Sequence, residues 1–153
     1  MMTEKLLSPL VKTFDMLPHP EGGWYKELWK ASFEIPKDVL DPKYSGSRPS
    51  ATSIYFLLHP EESSAWHRVY SDELWLWHSG SPLELLLGGD GEQPGEEKKI
   101  ILGMDVEKGE VPQALVPANV WQAAKPLGDE PVFVSCIVSP GFHFDDFTMI
   151  SGK

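Results

Sequence analysis

The chain has 153 residues, 41% of them hydrophobic, with 13 basic against 23 acidic side chains and a net charge of -10. That length fits one domain of ordinary size, residues 1–153, with enough apolar content to bury a core. The acidic balance repels phosphate backbones and anionic membranes, so neither nucleic acid nor a membrane is expected as a partner.

In chain order, Ser8 before Pro9 reads as a helix N-cap with proline in the first turn, and Leu10, Val11 and Phe14 give a short apolar face. This helix stops before Pro18-His19-Pro20. No stretch near the start is apolar enough for a signal peptide or a membrane span, so a cytoplasmic protein is expected. Beyond the helix the pattern turns to β, with apolar runs at 24–33, 51–58, 74–78, 83–87, 99–102 and 132–138 punctuated by Gly, Pro and Asp. Many short strands predict an all-β sandwich or barrel. Residues 34–49, broken by Pro36, Pro42, Gly46 and Pro49, read as an irregular loop able to act as a lid or interface arm. Residues 88–97 read as a solvated hairpin tip. The single cysteine, Cys136, excludes an internal disulfide and reads as a buried strand residue.

The stretch Trp66-His67-Arg68-Val69-Tyr70-Ser71-Asp72-Glu73, followed by Gly80, can bring an imidazole and a carboxylate into one pocket from neighbouring strands joined by a short turn. The unperturbed histidine pKa of about 6.5 suits proton transfer at neutral pH, with a nearby carboxylate to orient the ring. His67 and Glu73 are therefore the candidate catalytic pair. Alternation along a strand puts Glu73, Trp75 and Trp77 on one face, so two indoles are expected to floor the pocket and to suit a ring-shaped polar ligand such as a sugar. His19, His59 and His143 lie near prolines or in turn-like context and are expected to be exposed. The marks of serine hydrolases, P-loop ATPases and Rossmann dehydrogenases are missing.

The spacing His67, Val69, Glu73, Gly80 resembles the first cupin motif, His-x-His followed by Glu and Gly, with Val69 at the second histidine. Pro117-Ala118-Asn119-Val120-Trp121-Gln122 approximates the second motif, Pro-x-Gly-x-x-His, with Asn119 at the glycine and Gln122 at the histidine. Together with Pro18 to Tyr25, Ser71 to Trp75 and Pro140 to Phe147, these blocks resemble the DUF985, or cupin-5, family. The resemblance implies an RmlC-like jelly-roll β-sandwich barrel with a short N-terminal helix, an internal pocket and a homodimer. It also implies the usual cupin metal, but Val69 cannot ligate and the Gln122 amide is a weak donor, so no cofactor is expected and the identity of any metal stays open. Gln122 is better suited to hydrogen-bond a ligand. By analogy with cupin-fold sugar epimerases, Tyr55 could offer a phenol opposite His67. The leading expectation is a protein that binds a small polar, carbohydrate-like or nucleotide-sugar-like ligand through Tyr55, Trp75, Trp77 and Gln122, and epimerises or isomerises it by proton transfer at His67. The alternatives are a non-catalytic binding module and a metal-dependent cupin oxygenase or sugar isomerase.

Overall fold

The structure, a computed structural model, describes residues 6–150. Helix α1 (Pro9–Thr13) starts where the Ser8 side chain accepts a hydrogen bond from the Leu10 amide. Thirteen strands follow: β1 (Leu17–Pro18), β2 (Trp24–Lys30), β3 (Glu34–Ile35), β4 (Arg48–Pro49), β5 (Thr52–Leu58), β6 (Ser64–Arg68), β7 (Asp72–Ser79), β8 (Leu83–Leu87), β9 (Lys98–Leu102), β10 (Gln113–Val116), β11 (Gln122–Pro126), β12 (Val132–Ser139) and β13 (Thr148–Met149). The sheets are antiparallel, a six-stranded one in the order β1-β2-β5-β12-β7-β10 and a five-stranded one in the order β13-β6-β11-β8-β9.

The two sheets face each other as a sandwich because alternate side chains on each are apolar. Phe56, Leu58, Trp75, Val132, Val134 and Cys136 of one sheet and Leu83, Leu85, Leu87 and Ala124 of the other form one buried cluster. This is the jelly-roll cupin architecture that the two degenerate motifs imply. Asn119, at the motif's glycine position, has φ +68, a left-handed conformation that asparagine tolerates better than most residues.

Three local expectations change. Residues 34–49 are not irregular throughout: β3 pairs with β4, and a 3-10 turn spans Lys37–Val39. The run predicted at 24–33 ends as a strand at Lys30. His59 is buried, not exposed, because its ring accepts from the Ser8 amide at Nε2 and meets Glu62 Oε1 through Nδ1 at 2.8 Å, which ties the helix start to the sheet.

Candidate functional site

His67 and Glu73 come from consecutive strands, but not from neighbours in one sheet. β6 belongs to the five-stranded sheet and β7 to the six-stranded one, so the turn between them crosses the sandwich and the two side chains approach from opposite walls. Both line a cavity of about 280 Å³ inside the sandwich. Its other walls are Tyr25, Ile54, Phe56, Val69 and Val138, with Phe142, Phe144 and Phe147 from the segment after β12. Glu27, Lys30 and His143 also border it.

Two further polar residues belong to this site, His19 and Glu21. The turn between β1 and β2 is closed by His19 N–H donating to the Gly23 carbonyl and Gly22 N–H donating to the His19 carbonyl. Gly22 has φ +112, and a β-carbon there would run into the Ser63 carbonyl oxygen, so only glycine lets this turn lie flat against β6. The Ala65 amide then donates to the Glu21 carbonyl at 2.7 Å, and Ser64 Oγ donates to Glu21 Oε2 at 2.6 Å. The Glu21 carboxyl is thereby laid against His67, with Oε1 3.3 Å from Nε2.

The hydrogen bond to the Ala65 carbonyl fixes the tautomer of His67. His67 Nδ1 is 2.7 Å from the Ala65 carbonyl oxygen, and a carbonyl only accepts, so Nδ1 carries a proton and a neutral His67 presents a bare Nε2 to Glu21. A bare Nε2 facing a carboxylate oxygen at that distance is repulsive, and a proton on the Glu21 carboxyl relieves it. Burial pushes the Glu21 carboxyl up to about 8, opposed by the bond from Ser64. Burial also lowers His67, against the pull of Glu73 and of the Ala65 carbonyl. Both shifts favour the proton resting on Glu21 as a neutral acid. His19 has the opposite tautomer: its Nδ1 accepts from the Glu21 amide at 3.1 Å, so a neutral ring carries its proton on Nε2. Burial, with His67 nearby, lowers His19 to about 4.

Glu73 is held from behind. The Trp75 indole can only donate, and it donates to Gln122 Oε1 at 2.8 Å, which fixes the amide so that Nε2 donates to Glu73 Oε1 at 2.9 Å. Burial pushes Glu73 up to about 7, with Glu21 adding to the rise while His67, Gln122 and Cys136 oppose it. The orienting partner of the His67 ring is thus the Ala65 carbonyl and not Glu73, which acts on the ring through its charge.

The four expected ligand contacts are placed elsewhere. Tyr55 points to the opposite face of β5 from Thr52, Ile54 and Phe56, packing on Phe14 and Phe133, because strand alternation sends odd-numbered residues there away from the cavity. Trp75 shares the face of Glu73 but lies fully buried in the core beyond the cavity floor. Trp77 packs against the same core, its indole N–H donating to the Ser81 carbonyl. Gln122 is completely buried with both polar atoms spent on Trp75 and Glu73, so it supports the carboxyl instead of lining the cavity. The aromatic surface comes from phenyl rings and Tyr25, and His19, expected at the surface, is part of the cavity wall.

The donor set does not fit the divalent metal common in cupins. Val69 lines the cavity with no donor atom, Gln122 is turned away, and the Nε2 lone pair of His67 faces the Glu21 carboxyl. Among the described residues no three His, Cys, Asp or Glu side chains are grouped as metal ligands.

Two facing antiparallel sheets with a cavity between them, lined by His67 of β6 and Glu73 of β7, form the architecture of a cupin. The chain belongs to the family described as Cupin superfamily (DUF985), which matches residues 8–150. It is 29% identical over 159 residues to an uncharacterized protein of Saccharomyces cerevisiae, covering 96% of this chain and 76% of the yeast one. Among solved structures it is similar to a hypothetical protein from Leishmania major, at 32% identity and TM-score 0.80, covering 92% of this chain and 85% of that one. A Shewanella oneidensis protein solved by X-ray crystallography is 36% identical with TM-score 0.80, covering 93% and 82% of the two chains.

Proposed function

We propose that this protein is a metal-independent acid–base catalyst that isomerises or epimerises a small carbohydrate-like molecule. The observation that carries the reading is the contact of Glu21 Oε1 with His67 Nε2, 3.3 Å apart in the wall of a largely apolar cavity, where the two groups can share one proton. Holding that proton the pair is an acid; without it the pair is a base. Burial places the exchange near neutral pH, where proton transfer in both directions is efficient. The phenyl rings suit the C–H faces of a sugar, and Glu73 offers a carboxyl for its hydroxyls.

Size and charge narrow the ligand. A volume of about 280 Å³ falls just below the usual range of ligand pockets, roughly 300–1,000 Å³, and suits a molecule no larger than a monosaccharide. Lys30 is the one lysine or arginine among the lining residues, too little to hold the diphosphate of a nucleotide sugar.

The test is deuterium exchange from solvent into a carbon-bound position of a sugar-like ligand recovered with the protein. Exchange with the wild type, lowered 10²-fold or more in His67→Asn and Glu21→Gln with the fold intact, is expected. Tight binding of the recovered ligand without exchange would replace this reading with that of a binding module.

A further inference from the structure

Two of the cavity's histidines, His19 and His67, hold opposite tautomers, and His19 has a polar atom with no hydrogen-bond partner among the described residues. His19 Nδ1 is occupied by the Glu21 amide, and its side chain is 6% exposed. No buried side-chain polar atom in the described residues lacks a hydrogen-bond partner, so Nε2, for which none exists, meets open space. The ring sits among cavity-lining rings, 4.7 Å from Tyr25 edge-on, 5.8 Å from Phe56 and 6.2 Å from both Phe144 and Phe147. The open space it meets is therefore the cavity.

We propose that His19 is a catalytic residue whose Nε2–H donates to the carbonyl oxygen of the substrate, which makes the substrate class small carbonyl compounds bearing hydrogen on the adjacent carbon, such as α-hydroxy aldehydes and ketones. The inference rests on the proton-transfer reading of the Glu21–His67 pair and adds the electrophile it lacks. In the step, the C–H bond beside the carbonyl breaks and its proton passes to the proton-free Glu21–His67 pair. The C–H electron pair forms the C=C bond, and the carbonyl π pair moves onto the oxygen held by His19. Return of the proton to the former carbonyl carbon isomerises the substrate, as the hydroxyl on the first carbon passes its proton to the oxygen held by His19 and becomes the new carbonyl, and return to the other face of the same carbon epimerises it. No oxidant or reductant is consumed.

The environment suits a neutral imidazole in this role. A donor aimed where charge develops is strongest in a water-poor cavity, and a neutral imidazole, a far weaker acid than imidazolium, donates its hydrogen bond without giving up its proton. The Glu21 amide serves both residues: the turn that brings the carboxyl to His67 also fixes the tautomer of His19. One backbone unit thus sets the base and the electrophile.

The experiment follows α-deuteration of dihydroxyacetone and of glycolaldehyde in D₂O by NMR, with wild type, His19→Phe and His19→Gln, each first shown to melt cooperatively. His19→Phe removes the donor, while His19→Gln restores an Nε2–H. We expect wild-type exchange on at least one probe, a loss of about 10²–10³-fold in His19→Phe as for other oxyanion donors, and recovery to within about tenfold in His19→Gln. Exchange at the wild-type rate in His19→Phe overturns the role of His19 and leaves the pair as acid and base. No exchange by the wild type on either probe overturns the carbonyl class, whereas the proton-transfer reading is decided separately on the recovered ligand.

Discussion

Glu21 Oε1, from the tight turn between β1 and β2, meets His67 Nε2, from β6, at 3.3 Å. This contact also links stability to pH. Burial raises Glu21 from 4.5 to about 8 and Glu73 to about 7, so the folded chain holds carboxyl protons that the unfolded chain has released. Stability therefore falls as pH rises through that window. His19, lowered from 6.5 to about 4, acts in the opposite sense: the unfolded chain binds the extra proton, and stability rises with pH between those values. The effects oppose each other below about 6.5, and only the carboxyls act above it. We expect the melting temperature to fall from pH 6.5 to about 8 and then level off, and Glu21→Gln to flatten that decline. A wild-type melting temperature that is constant or rising over the interval would contradict the assignment.

Part of this site is legible in the sequence, for identifiable reasons. His67 and Glu73 were found because motif spacing counts residues along a single β–turn–β passage, and both do line the cavity. What the count could not show is that the turn crosses between sheets. The contact of Glu21 with His67 is not legible, because the Ser64 that holds the carboxyl is 43 positions away and no local period joins them. The paired glycines that follow Glu21 were the one available signal. Strand alternation correctly put Trp75 on the face of Glu73, but a face of β7 spans both cavity and solid core, and only depth along the strand separates the two. Tyr55 was assigned by fold analogy against its own alternation with Ile54 and Phe56, and alternation prevailed. The strands β6 and β11, reading Ser-Ala-Trp-His-Arg and Gln-Ala-Ala-Lys-Pro, have little β-propensity of their own and owe their conformation to pairing with each other and with β8.

The bond from Gln122 to Glu73 makes a separate expectation. Gln122 is fully buried, and the Trp75 indole and the Glu73 carboxyl both depend on it. Gln122→Met keeps the volume but leaves a buried indole N–H without an acceptor, a loss of about 1–3 kcal/mol. It also removes a donor that holds Glu73 down, so the Glu73 titration should move above its value of about 7. Urea unfolding measures the first effect and carboxyl NMR the second. Unchanged titration would show that the amide does not sense the charge on Glu73.

The aromatic segment over the cavity is fastened by a buried ion pair. Arg48 donates through Nε to Asp146 Oδ2 at 2.9 Å and through its terminal nitrogen to Oδ1 at 2.6 Å, and both residues are buried. Asp146 ends the 3-10 turn Phe144–Asp146, so the pair fixes the segment that carries Phe142, Phe144 and Phe147. Arg48→Met strands a buried carboxylate and should cost about 3–5 kcal/mol. Arg48→Met combined with Asp146→Leu removes both charges and should recover much of that loss. A double variant no more stable than Arg48→Met alone would mean that shape, not charge, holds the segment.

We propose that the protein is a homodimer, and the edge of the six-stranded sheet gives the reason. β1 pairs only with Trp24 and Tyr25, so the rest of β2, from Lys26 to Lys30, has no partner on its outer side among the described residues. That open edge carries Leu28 and Trp29, each about half exposed, with exposed Phe33 and Val39 following in the chain. A free edge strand with apolar side chains is an invitation to strand pairing that soluble proteins normally cover. A second copy meeting the first about a twofold axis would cover both edges at once and close the assembly. Light scattering should then give about twice the 17.1 kDa chain mass, and Leu28→Lys with Trp29→Glu should reduce it to the single-chain value without unfolding the sandwich. A wild-type chain that stays monomeric up to high micromolar concentration would rule this arrangement out.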